Sequence, residues 1–169
     1  MAQSTALSFE DANRITRLKT RVECIQFVKN VEVTRPDLAT AARRHCIEAL
    51  LNEQGLTDAL LRDIWGGVCA YEEVLYLKHK KYLKAGNTRA AIRHNGAIGG
   101  VEVMVLKPRT EGFARMQSAG LLDRTFEFVV LRHAEDFRPL VVATARRKLK
   151  LWVDEEGGFA TPDLRCIHQ

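Results

Sequence analysis

The chain has 169 residues, 46% of them apolar and 28% charged, with a net charge of +5. That length suits one domain able to bury most of its apolar surface, and the composition excludes a disordered chain. Four scattered cysteines without a C-x-x-C pair exclude a disulfide scaffold, and neither a signal-peptide pattern nor an apolar run near the ~18 residues of a bilayer span is present, so a cytoplasmic location and no membrane role are expected.

In chain order, Ser8 can cap a first helix, with Glu10 and Asp11 favouring its positive end. Ile15, Leu18, Val22 and Ile25 then recur at spacings of three and four, which is one helical face. Two such repeats fall short of a coiled coil, so the face either packs internally or forms half of a homodimer seam. Pro36 interrupts the pattern and starts a second helix over residues 36–52, with Leu38, Ala42, Cys46, Ala49 and Leu50 inward and Gly55 as its stop. A third pattern runs from Thr57 through Leu60, Leu61, Ile64, Val68, Tyr71, Val74 and Leu75 to Tyr82. Its Gly66-Gly67 pair predicts a bend, a break or the close approach of a neighbouring helix near Trp65.

Ala85-Gly86-Asn87 closes that element, and Thr88 can cap a helix over residues 89–107. Within it Asn95-Gly96 is a turn signal, Gly99-Gly100 weakens the helix, and residues 101–105 also alternate like a strand. The glycines suit close packing or a bend better than a phosphate cradle. Thr110 to Ala119 reads as a short helix closed by Gly120, and Asp123 caps another carrying Phe126, Val129, Val130 and His133. Leu140 to Trp152 is amphipathic, with Val141, Ala145, Leu149 and Trp152 inward and Arg146, Arg147 and Lys150 outward. The expected fold is all-α, with six or seven irregularly packed helices in one domain over residues 1–153 and a flexible tail over 154–169. The alternative is α+β, with short strands near 101–106 and 126–131.

The positive charge is concentrated. Residues 76–109 hold eight Lys or Arg and a single acid, whereas residues 1–75 hold nine bases against eleven acids and residues 110–169 nine of each. A localised positive field attracts polyanions. On a continuous helix Lys80, Lys81 and Lys84 fall within an arc of about 100°, with Lys78 on a neighbouring face and Arg89, Arg93 and His94 one loop later. Arg146, Arg147 and Lys150 would extend this footprint if the fold brings them to it. The function expected is a non-enzymatic module that binds nucleic acid through its phosphates, with little sequence specificity. The alternative is a protein-interaction or homo-oligomer module using the Ile15-Leu18-Val22-Ile25 face.

Two motifs each carry a sharper and a plainer reading. Thr110 to His133 has a helix-turn-helix outline, but Phe126, Phe128, Val129, Val130 and Leu131 make its second helix too apolar for a major groove. A core hairpin is the better reading. Arg89-Ala90-Ala91-Ile92-Arg93-His94 is an R-x-x-x-x-H run and resembles the ribonuclease motif of the helical HEPN nucleases. The resemblance implies a helical ribonuclease in which Arg89 steadies phosphate charge and His94 transfers protons near neutral pH; a plain basic helix is preferred to it. With no dinucleotide fingerprint, P-loop, nucleophile elbow or His/Cys cluster at metal-ligand spacing, no catalytic or metal-binding residue is assigned and no cofactor is expected.

Overall fold

The structure is a computed structural model that describes residues 7–108 and 111–156, with side chains through Leu149. Over these residues it is all-α, with eight α-helices, two short 3-10 turns and no strand. The helices are α1 Phe9–Thr16, α2 Arg21–Val31, α3 Pro36–Glu53, α4 Ala59–His79, α5 Gly86–Leu106, α6 Glu111–Ser118, α7 Phe126–Arg132 and α8 Pro139–Glu156. Residues 101–106 and 126–131 are helical, which removes the α+β alternative. The boundary expected at residue 153 falls inside α8, and the rest of the expected tail lies outside the described residues. No helix among the described residues is long and apolar enough to cross a membrane.

The eighth helix arises because the first periodic segment is two helices. Ser8 caps α1 through the Asp11 amide. Thr20 then opens α2 with a capping box, in which its hydroxyl accepts from the Glu23 amide at 3.2 Å and the Glu23 carboxylate accepts from the Thr20 amide at 3.0 Å. That reciprocal pair satisfies backbone donors that only a helix start leaves free. The spacing of Ile15, Leu18, Val22 and Ile25 runs across the break by coincidence. These residues form no single face, for Ile15 is buried and Val22 is 77% exposed.

α4 is the axis of the molecule. Asp58, one residue beyond the expected start, caps it through the Leu61 amide at 2.7 Å. Residues 66–70 are all buried. Ile64 and Val68 join apolar side chains of α5, α7 and α8, while Cys69, Ala70 and Val74 join those of α3 and α6. A third cluster, with Ile15, Val28, Leu38 and Ala42, closes α1 to α3. A helix apolar on nearly every side belongs at the centre. Gly66-Gly67 leaves α4 unbroken and serves close approach instead: a Cβ on Gly67 would stand 2.8 Å from the Arg124 carbonyl oxygen and 3.1 Å from the Phe126 ring.

α5 is folded back on itself. Gly96 has φ 75° and ψ 173°, a conformation open to glycine. Residues eight apart in an uninterrupted helix are separated by about 12 Å along the axis. Here a Cβ on Gly100 would lie 2.6 Å from the Ile92 Cα. The halves 86–95 and 97–106 therefore pack against each other, and the two glycine signals seen in the sequence belong to one hairpin. α6 ends at Gly120, with φ 69°, where Leu121 N–H bonds the Met116 carbonyl and Gly120 N–H that of Gln117.

Gly100→Ala should cost about 2 kcal/mol, because its methyl meets backbone that has little room to yield. Gly86→Ala, which faces open space, should be close to neutral. Urea denaturation of both variants checks this, and equal midpoints would contradict the hairpin contact.

Candidate nucleic-acid interface

The middle of α4 carries two adjacent acids, Glu72 and Glu73, 1% and 5% exposed. Consecutive helix positions differ by about 100°, so the two enter different sides of the interior. The Glu72 carboxylate accepts four hydrogen bonds: from Arg89 Nε at 2.6 Å, Arg89 Nη2 at 3.0 Å, the Tyr82 hydroxyl at 2.7 Å and the Ala85 amide at 2.9 Å. Burial opposes its ionisation, but the Arg89 guanidinium, the Tyr82 hydroxyl and the Ala85 N–H outweigh burial and hold the carboxyl below its ordinary range. Glu73 pairs with Arg21 and feels Arg43; there burial prevails and pushes the carboxyl up. The Arg21 guanidinium lies 3.5 Å from the Tyr82 ring centroid, and that of Arg89 lies 5.2 Å from Trp65's.

This network decides where the basic side chains go. α4 ends at His79, and Lys80 takes the left-handed conformation with φ 55°. The continuous helix expected to carry Lys80, Lys81 and Lys84 on one arc is therefore absent. Its physical cause is the return of Tyr82 and Ala85 to Glu72, which a straight continuation would carry away from it. Lys80 points toward the end of α2, 3.8 Å from Glu32. Arg89 is turned inward to Glu72. His94 follows five residues later, about 140° around the helix, and is exposed, as is Arg93. Arg146 and Arg147 are exposed on α8, and the Lys150 side chain lies outside the described residues.

The hairpin in α5 brings its two ends to one side, where they border a cleft of about 410 Å³. Its floor consists of buried or half-buried apolar groups, namely Tyr71, Leu75, Met104, Phe113, Met116 and Phe126. Lys84 and Lys107 are exposed on its rim, and Lys148 lines it while paired with Glu127 at 3.3 Å. Lys78 lies close enough to Glu111, at the start of α6, to help Arg115 hold that carboxyl below its usual range. Lys84 and Lys107, far apart in sequence, thus meet at the rim. Of the expected contacts, the cleft gathers Lys84 and draws in Lys107 and Lys148, which sequence reasoning had not selected.

The bases of the helix-turn-helix outline are committed to structure. Arg124 bonds Glu48 at 2.6 Å and Arg132 bonds Asp63 at 2.9 Å, while Phe128, Val129 and Val130 are buried. Cys24, Cys46 and Cys69 are free and buried, and burial pushes the Cys69 thiol up to about 11. Among the described residues no three His, Cys, Asp or Glu side chains gather to hold a metal ion. The chain matches no family model, no curated protein and no solved structure.

Glu72→Ala should destabilise the fold by about 3 kcal/mol, since it leaves the half-buried Arg89 guanidinium and the Ala85 N–H without their acceptor. Because the folded carboxyl titrates below its unfolded value of 4.5, its contribution is present above that pH and is lost as pH falls through the folded value. Urea midpoints measured across acidic pH should therefore fall less steeply in the variant than in the wild type.

Proposed function

We propose that the protein binds nucleic acid through its phosphates, using the ammonium groups of Lys84 and Lys107 at the cleft rim together with the exposed Lys78 and Lys81. The observation that supports this reading is how the basic side chains are sorted. Arg21, Arg43, Arg44, Arg62, Arg89, Arg124, Arg132 and Arg138 each hold a carboxylate and serve the fold. Among the described residues Lys81, Lys84 and Lys107 form no ion pair with a carboxylate, and Lys78 acts on Glu111 without pairing closely with it. Their charge is left for a partner outside the chain.

A solvated ammonium that is not already paired exchanges counterions for phosphate oxygens on binding, and the released ions drive association. Such contacts position a strand without reading its bases, so the reading is a binding module with low sequence specificity and no catalytic step. Arg146 and Arg147, within a turn of Lys148, add to the positive field. Arg93 and His94 stand toward the Gly96 turn, about 10–12 Å along the helix from the cleft mouth, and fall outside the proposed footprint. Three reduced, buried thiols suit a cytosolic setting.

Fluorescence anisotropy with labelled DNA and RNA at graded salt tests the reading. The logarithm of the binding constant should fall linearly with that of salt, with a slope of about −3 for a single strand touching four lysines. Combined Lys81→Glu, Lys84→Glu and Lys107→Glu should weaken binding at least about tenfold at low salt and flatten the slope. Absent binding at low salt, or binding indifferent to the triple substitution, would overturn it.

A further inference from the structure

Resting on that reading, we infer that the cleft seats one unstacked base, so that the ligand engaged is a single strand or a frayed end, with uninterrupted duplex bound more weakly. The inference comes from what lies beneath the lysines. Phosphate contact alone needs only a charged surface, whereas here the rim lysines Lys84 and Lys107 stand over a recess of about 410 Å³ lined by the half-buried rings of Tyr71 and Phe126. That volume is within the range of small-ligand sites, roughly 300–1,000 Å³. Ammonium groups beside aromatic faces are the combination by which proteins hold single strands, phosphates on the cations and bases on the rings.

The polar groups at the wall fit a base edge. Asn87, exposed at the rim, offers a carboxamide that both donates and accepts. Thr125 also lines the cleft, is 6% exposed, and holds a buried hydroxyl oxygen with no hydrogen-bond partner among the described residues. A buried hydroxyl without a partner is costly, and rotation of the Thr125 side chain toward the cleft would let the donors and acceptors of a base edge satisfy it. Duplex DNA or RNA cannot reach this floor, because its bases are stacked inside the helix and must be extruded first.

The test compares a labelled oligothymidylate of about 12 nucleotides with an abasic oligomer of the same length and charge, at one salt concentration. The expected result is binding of the thymidylate about tenfold tighter or more. That advantage should disappear in Tyr71→Leu and in Phe126→Leu, which keep apolar volume and remove the ring. It should shrink in Thr125→Val, which keeps the shape of the side chain. Melting temperatures confirm that each variant is folded. Equal binding of the two oligomers by the wild type would overturn the seated base while leaving the phosphate reading intact. A thymidylate advantage untouched by all three folded variants would overturn the assignment to this cleft. Binding of neither oligomer would remove the phosphate reading, and the inference with it.

Discussion

The carboxylate of Glu72 is buried in α4, the helix that α3, α5, α6 and α7 pack against, and the chain beyond α4 is arranged around it. An ionised carboxylate without water requires donors, and four are supplied within seventeen residues of sequence by Tyr82, Ala85 and Arg89. Meeting them obliges the chain to stop α4 at His79, turn through Lys80 in the left-handed region, and start α5 beside the helix it has just left. Lys81 and Lys84 lie on the outside of that turn. Buried ion pairs of this kind add little net stability over an apolar replacement, so the contribution of Glu72 is to position the connection.

Glycine contacts complete the arrangement. Gly100 on Ile92 lets α5 double back, which returns Lys107 to the neighbourhood of Lys84. Gly67 admits residues 124–126 against α4 and so places Phe126 at the cleft floor. The cleft therefore depends on two close backbone approaches and one buried charge.

Much of the fold was legible because local chemistry wrote it. Pro36 at a helix start, Asn95-Gly96 at a reversal and Gly120 at a helix end carry their geometry with them. The split between α1 and α2 was also written, in Thr20-x-x-Glu23, but the apolar spacing from Ile15 to Ile25 continues across the gap and masks it. The end of α4 had no local signal. Lys78 to Tyr82 holds neither glycine nor proline, and the stop comes from the tertiary bond between Tyr82 and Glu72. Two acids inside an otherwise apolar helix were the available hint that distant arginines would come to meet them. The cleft could not be read, because its walls come from α4, the α4–α5 connection, both ends of α5, α6, α8 and residues 124–127, and no local pattern encodes their meeting.

Backbone amide hydrogen exchange at Ala85 tests the organising role of Glu72 most directly. This amide, bonded to a carboxylate in the core, should exchange far more slowly than those of Lys81 and Lys84 in the same connection, and Glu72→Leu, which removes the acceptor, should abolish the difference. Exchange at Ala85 as fast as at its exposed neighbours in the wild type would contradict that role.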